Sequence, residues 1–226
     1  AKYAYYLTKY VNKDTTVMMI DNVYRQKELY LSSSHLYNIT NFWDVSAAYD
    51  VQWNTMDADM YGFVYPTRWH HFLAITLGRV KMQGSLVLNY VHDRTRLAKS
   101  AGDKTVLTPA FFLSWAPFGS SDFTLRAFAK RSFRMPTFND LYYADMGNSQ
   151  LRPEYTTQYN IGFAYDSRRS SGFLTEWSLH ADAYRNFVRD KIVAYPKGAQ
   201  FRWTMLNLGR VRITGVDLTG SLTLNP

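Results

Sequence analysis

The chain has 226 residues, of which 46% are hydrophobic, 17% aromatic and only 19% charged, against roughly 25% charged in ordinary soluble domains. Its mean hydropathy is −0.32, and no run approaches the roughly 18 apolar residues of a spanning helix, which excludes helical membrane proteins but leaves soluble β-sheet and membrane β-barrel. The net charge of +8 attracts nucleic acid, lipid phosphate and anionic substrates alike. Zero cysteines remove disulfides, thiolate chemistry and cysteine-held metals. The start, Ala1-Lys2-Tyr3-Ala4-Tyr5-Tyr6, lacks the apolar stretch of a signal peptide, so the chain reads as mature or as a piece of something larger.

Period-two alternation dominates, placing apolar side chains on one strand face and polar or small ones on the other. Val45, Ala47, Tyr49, Val51 and Trp53 alternate with Asp44, Ser46, Ala48, Asp50 and Gln52. Trp69, His71, Leu73, Ile75 and Leu77 repeat the pattern. From Val80 to His92, Met82, Leu86, Leu88 and Tyr90 oppose Lys81, Gln83, Ser85 and Asn89. Leu107, Phe111, Leu113 and Trp115 follow more weakly. Tyr155, Tyr159, Ile161, Phe163 and Tyr165 then oppose Thr156, Gln158, Asn160, Gly162 and Ala164, and Trp177, Leu179, Ala181 and Ala183 continue. No stretch carries a helical stripe. The segments run to about ten residues or more, the 9 to 11 that a tilted strand needs to cross a bilayer. Aromatic residues gather toward segment ends, where interfacial girdles lie.

Connections alternate in length, as outer-membrane barrels require. Short joins are predicted near Asn12–Asp14, Asn38–Asn41, Gly78-Arg79, Pro117–Ser121 and Ser167–Gly172. Long ones fall at Asn54–Arg68, Asp93–Thr105, Arg134–Glu154 and around Arg189–Gln200. The expected fold is all-β, a transmembrane antiparallel barrel with about eleven strands present. An odd number cannot close in lipid without leaving an edge unpaired. Residues 1–226 are therefore expected to be one internal segment of a larger barrel.

Three stretches bring a family into view. Arg131-Ser132-Phe133-Arg134-Met135-Pro136-Thr137-Phe138-Asn139-Asp140-Leu141-Tyr142-Tyr143 resembles the F-R-x-P-T-F-x-[DE]-L-Y stretch of TonB-dependent outer-membrane receptors. Gly147-Asn148-Ser149-Gln150-Leu151-Arg152-Pro153-Glu154 is similar to that family's G-N-x-x-L-[KR]-P-E, with Ser149 where Pro or Ala is usual. Asn207-Leu208-Gly209-Arg210-Val211-Arg212-Ile213-Thr214-Gly215-Val216-Asp217 resembles its N-x-G-x-x-x-x-x-G-x-E strand, with Asp217 in place of Glu. Phe63-Val64-Tyr65-Pro66-Thr67-Arg68 is a weaker match upstream.

The resemblance implies a 22-stranded barrel of the bacterial outer membrane, of which this segment lacks the plug domain and the closing strands. It implies active import of a scarce nutrient, a siderophore-bound iron or a cobalamin-like ligand, past a plug domain in the lumen. It further implies energy from a TonB-ExbB-ExbD complex acting through that plug, contact with outer-membrane lipid and lipopolysaccharide, and a possible surface lipoprotein partner. No enzyme activity, cofactor, metal site or nucleic-acid partner is expected. A passive porin-like channel and a glycan importer of the same family are the alternatives.

The motif residues also have a structural reading. Pro136 and Pro153 cannot donate to a ladder and mark where pairing stops. Gly147-Asn148 suits a turn, and Glu154 is placed to pair with Arg152 or Arg134. Binding candidates lie on the long-loop side: Tyr61, Phe63 and Tyr65; Arg94, Arg96, Lys99 and Lys104; Phe138, Tyr142 and Tyr143; Tyr195, Lys197, Phe201, Arg202 and Trp203. Aromatics with cations suit a planar or anionic ligand, and equally suit an interfacial belt or a partner protein. Lys81, Gln83, Asn89, Arg126 and Lys130 are expected to face the lumen.

Other classes lack support. There is no P-loop, G-x-G-x-x-G, H-E-x-x-H or G-x-S-x-G. Of the five histidines, adjacent His70 and His71 point to opposite strand faces, so one metal cannot take both. A smaller outer-membrane hydrolase barrel and a soluble β-sandwich remain as rivals. A single-stranded nucleic-acid binder leaves most of the apolar surface unexplained.

Overall fold

The computed structural model describes residues 1–13, 19–79, 81–97, 103–118, 122–143, 146–168, 174–197 and 202–224. Within them lie ten strands: β1 (Lys2–Asn12), β2 (Ile20–Asn38), β3 (Trp43–Ala58), β4 (Thr67–Arg79), β5 (Met82–Arg94), β6 (Lys104–Trp115), β7 (Phe123–Arg134), β8 (Glu154–Arg168), β9 (Leu174–Lys197) and β10 (Arg202–Leu224). They form one sheet in strict sequence order, and every neighbouring pair is antiparallel.

The predicted architecture is observed, with one strand fewer than the eleven expected among the described residues. Strands here are long: β9 and β10 have 24 and 23 residues. The stretch around Arg189–Gln200, expected to be a long loop, is strand through Lys197. Ten is an even number, so parity does not explain the open sheet; β1 and β10 are simply its two edges.

Loop length follows the end of the sheet with two exceptions: the β1–β2 and β9–β10 connections lie at the long-loop end, yet by the strand bounds they span only 13–19 and 198–201. β2–β3, β4–β5, β6–β7 and β8–β9 turn at one end across residues 39–42, 80–81, 116–122 and 169–173. Residues 59–66, 95–103 and 135–153 connect strands at the other end. The 13–19 connection, expected to be tight, lies at this second end, because antiparallel order places the β1–β2 join beside the β3–β4 join.

The two faces follow the alternation. Leu73, Ile75 and Leu77 on β4 align through the register with Leu86 and Leu88 on β5 and Leu107 and Phe111 on β6, and all are exposed on the outer face. Trp69 and Tyr90 border this band at the long-loop end, and Trp115 and the stacked Tyr165–Trp177 pair at the other. Inward positions of the same strands include the buried polar residues Arg68, Asn89, Asp93 and Thr108, with Val91 and Val106 buried among them. His71 sits on the outer face with its Nδ1 2.8 Å from the Tyr49 hydroxyl, and His70 lies on the other face.

One helical turn interrupts the β structure. α1 (Phe138–Tyr142) follows β7, and a single turn carries no amphipathic stripe to reveal it. Its start is nonetheless coded, because the Thr137 hydroxyl accepts from the Asp140 amide while the Asp140 carboxylate accepts from the Thr137 amide.

Candidate functional site

Residues 135–153 leave β7 and fold inward over the long-loop end of the sheet. α1 buries Phe138 and Leu141 in a cluster with Tyr24 of β2, Met56 and Ala58 of β3, and Phe63 of the 59–66 connection. Tyr143 stacks on Tyr24 at 4.6 Å between ring centroids and meets Tyr10 edge-on at 5.5 Å. Such ring pairs add about 0.5–1.5 kcal/mol each beyond the area they bury.

The other end of the segment is fixed to β10. Asn148 donates its side-chain amide to the Met205 carbonyl, and the Met205 amide donates to the Met146 carbonyl. Asn207 is fully used: its Oδ1 accepts from the Arg152 amide at 2.8 Å, and its Nδ2 donates to the carbonyls of Arg152 and Asp190. β2 and β10 are eight strands apart in the sheet order. One loop touching both is possible only because the sheet curves, so residues 135–153 run as a chord across its mouth.

Two charge clusters hold the chord. Arg68 forks onto Asp93, Nε to Oδ1 at 2.6 Å and Nη2 to Oδ2 at 2.8 Å, and gives its Nη1 to the Pro136 carbonyl. Its guanidinium also lies 5.1 Å from the Phe138 ring centroid. At the start of β8, buried Glu154 accepts from Lys191 at 3.0 Å, from the Ile192 amide at 3.2 Å and from Arg134 at 3.5 Å. Arg134 also pairs with Asp140. Of the two partners expected for Glu154, Arg134 is the one observed; Arg152 pairs with Asp190 instead. Pairing stops where the prolines predict, at Arg134 and again before Glu154.

Beneath α1 lies a cavity of about 210 Å³ lined by Gln26, Glu28, Gln52, Asn54, His70 and Thr137, among others. It opens on the inward face, and its amide, carboxylate and imidazole groups suit a polar, hydrogen-bonding guest. Among the described residues, His70 Nε2 is the buried side-chain polar atom without a hydrogen-bond partner.

The sequence-derived binding candidates separate into three groups. Phe63 and Phe138 are buried in the loop core, and Tyr142 and Tyr143 pack against it, so these four shape the mouth. Tyr61, Tyr195 and Trp203 are exposed, with Tyr195 and Trp203 on the paired strands β9 and β10. Tyr65, at φ 47°, lies edge-on to Phe63 and under the Arg96 guanidinium at 5.6 Å. Arg94 and His92 both reach Asp103, at 3.2 and 3.0 Å. Lys104 opens β6. Lys99 and Phe201 lie outside the described residues, as do the side chains of Lys197 and Arg202. The residues that tie the loop down, Arg68, Asp93, Tyr24 and Asn207, are not among the sequence-derived binding candidates, because each occupies an ordinary alternating position within a strand.

All three sequence motifs therefore meet at one place, the chord and its two anchors. A family model described as TonB dependent receptor-like, beta-barrel matches residues 3–225. The chain belongs to this TonB-dependent receptor family. Its members are outer-membrane proteins of Gram-negative bacteria, so the exposed apolar band faces lipid and the connections 59–66, 95–103 and 135–153 belong to the extracellular side. Among curated proteins, the vitamin B12 transporter BtuB of Vibrio vulnificus is 33% identical over 86 residues, 38% of this chain and 13% of that protein. BtuB of Photobacterium profundum is 32% identical over 103 residues, 44% of this chain and 16% of that protein. Among solved structures, the copper transporter OprC superposes with a TM-score of 0.76 at 16% identity, covering 99% of this chain and 40% of that one. This chain thus spans well under half of each relative, and the receptor segment described here is one part of such a barrel.

Proposed function

We propose that this barrel segment serves TonB-dependent import of a scarce nutrient across the outer membrane, with a corrinoid as the favoured cargo and a ferric siderophore as the second. The observation that carries it is the chord of residues 135–153, anchored to β2–β5 on one side and β10 on the other. A passive channel gains nothing from a loop bolted across its mouth; a receptor that must hold a ligand before moving it does. Partial identity to two vitamin B12 transporters supports the corrinoid. The polar hollow beneath α1 adds amide and carboxylate groups of the kind that hydrogen-bond a ligand rich in amides or hydroxyls. In this reading a plug fills the lumen, the TonB-ExbB-ExbD complex supplies energy through it, and a surface lipoprotein is an optional partner. No catalytic step is required.

The test is equilibrium binding by the full-length receptor against cyanocobalamin and a panel of ferric siderophores and oligosaccharides, together with uptake in cells with and without TonB. Tight binding of one class and TonB-dependent uptake are expected. Free ion conductance in proteoliposomes without the energy complex would replace the transporter by a porin.

A further inference from the structure

Three neighbouring strands present a continuous polar patch on the inward face, just below the loop core. The register sets Glu28 of β2 opposite Asn54 of β3, and Asn54 opposite Arg68 of β4; in the next row Gln52 of β3 lies opposite His70 of β4. Gln26 occupies the inward position beside Glu28 on β2. Larger, less polar side chains bound the patch: buried Tyr24 and Met56 on the extracellular side, and on the other Phe72, whose ring centroid is 3.7 Å from that of His70. Each of the three strands has both of its neighbours in the sheet. The chord closes over this patch, Met135, Thr137 and Phe138 completing the hollow of about 210 Å³. A wall that merely meets water needs polar side chains, but it does not need a roof.

The hydrogen-bonding capacity of these walls is only partly used. Gln26 Nε2 donates to Glu28 Oε1 at 2.8 Å, and Gln52 Nε2 donates to Asn54 Oδ1 at 3.4 Å. Among the described residues this leaves the second carboxylate oxygen of Glu28 as an acceptor and the N–H groups of Asn54 as donors. Residues opposite one another on an antiparallel ladder have their Cβ atoms about 4.5–5.5 Å apart. At that spacing one planar group can give an N–H to Glu28 while its carbonyl accepts from Asn54.

Charge decides which planar group fits. Arg68 forks onto Asp93, which cancels its charge locally, and its third branch holds the Pro136 carbonyl. Glu28 is then the uncompensated charge among the residues lining the hollow. Among the described residues it forms no ion pair; Lys2, which lies in the Tyr30 row of β1, is exposed and does not pair with it. A carboxylate guest meets a like charge here, whereas a primary amide of the same shape brings the N–H groups that Glu28 lacks.

We infer that this hollow is a subsite for an uncharged primary-amide arm of the cargo, in which Glu28 accepts from the amide N–H groups, Asn54 donates to its carbonyl, and Glu28 rejects the corresponding acid. The inference rests on the reading of this barrel as a nutrient receptor and deepens it by naming the chemistry of one subsite. A corrinoid, whose ring edge carries propionamide arms, satisfies that chemistry; a cargo that offers only anionic groups does not.

The experiment follows the methyl group of Met135, which lines the hollow, by NMR of the full-length receptor with isotope-labelled methionine methyls, the signal being assigned through Met135→Leu. At neutral pH propionamide is expected to shift this signal saturably, and propionate to do so at least about tenfold more weakly. Glu28→Gln should bring the two probes within about twofold of each other. Excess cyanocobalamin should abolish the propionamide response of the native receptor. If propionamide shifts Met135 and cyanocobalamin does not suppress the shift, the amide subsite stands and the corrinoid reading falls. A Met135 signal indifferent to propionamide, as when a plug side chain already fills the hollow, overturns the inference, and so do equal responses to amide and acid or a selectivity unchanged in Glu28→Gln. The comparison of amide with acid uses the native receptor alone, so it decides even where the variant fails to fold.

Discussion

Arg68 and Asp93 face each other on neighbouring strands as a two-pronged ion pair whose side chains are each only 7% exposed. The third branch of the guanidinium holds the Pro136 carbonyl, so the pair is also the bolt of the extracellular chord. Removing one member leaves a buried charge without its partner, at about 3–5 kcal/mol. Arg68→Ala should therefore release residues 135–153, seen as rapid proteolytic cleavage within the loop. An Arg68→Leu, Asp93→Leu double variant, which buries no charge, should recover much of the protection. If Arg68→Ala is cut no faster than the native receptor, the bolt is not there.

Gly147 is required for a different reason. A Cβ at this position would sit 2.7 Å from the Tyr143 amide nitrogen and 2.8 Å from the Leu141 carbonyl oxygen, and neither backbone atom can swing away. Gly147→Ala should destabilise the α1 segment by about 1–3 kcal/mol, readable as lowered hydrogen-exchange protection of Leu141 and Asn148 while the strand amides are unchanged. Unaltered protection in the loop would show that the turn has room to spare.

The strands were legible in the sequence and the chord was not, for a physical reason. Alternation such as Leu73, Ile75, Leu77 against Phe72, Ala74, Thr76 is a local signal with period two, and the bilayer enforces it on every strand. The chord depends on residues far apart in the chain: Tyr24 meets Tyr143, Arg68 meets Pro136, and Asn207 meets Arg152. No spacing records such meetings. The Phe138–Tyr143 motif was visible as a family resemblance, yet whether Phe138 pointed at a ligand or at Met56 required coordinates. The reading of β9 erred because strand continues past the positive-φ residue Asp190, where local sequence suggests a loop.

Alkaline pH should loosen the chord. Tyr143 has its phenol raised above the ordinary 10.0 by burial first and then by Tyr24 and Tyr10; Tyr142 is raised by burial first and by Asp93, against the opposing charge of Arg68. Below pH 10 both phenols are neutral whether the loop is docked or free, and their contribution to docking is complete. Above it the free loop loses its protons first, and docking weakens as pH climbs toward the raised values. Protease resistance of residues 135–153 should be flat from pH 7 to about 9.5 and fall beyond 10, and Tyr143→Phe should reduce the slope. Resistance that stays level through pH 12 would contradict the buried setting of both rings.

The assigned sheet faces predict an asymmetry between residues three positions apart on β5. Leu86 is exposed within the outer apolar band, opposite Ile75 of β4 and Pro109 of β6. Gln83 is exposed on the inward face, opposite Gly78 and Phe112. In lipid, a guanidinium at position 86 has no water within reach unless the chain thins the bilayer or bends toward a headgroup, and the cost near the midplane is about 2–4 kcal/mol. At position 83 the same side chain stays on the inward, water-accessible face, where Gln83 is already exposed and a flexible guanidinium can extend away from Lys81 and Arg126. Leu86→Arg should accordingly lower the midpoint of refolding into vesicles in a denaturant titration, and Gln83→Arg should leave it within error of the native value. Equal shifts for the two variants would mean that lipid does not touch the Leu86 face, and the bilayer-facing assignment of the whole apolar band would fall with it.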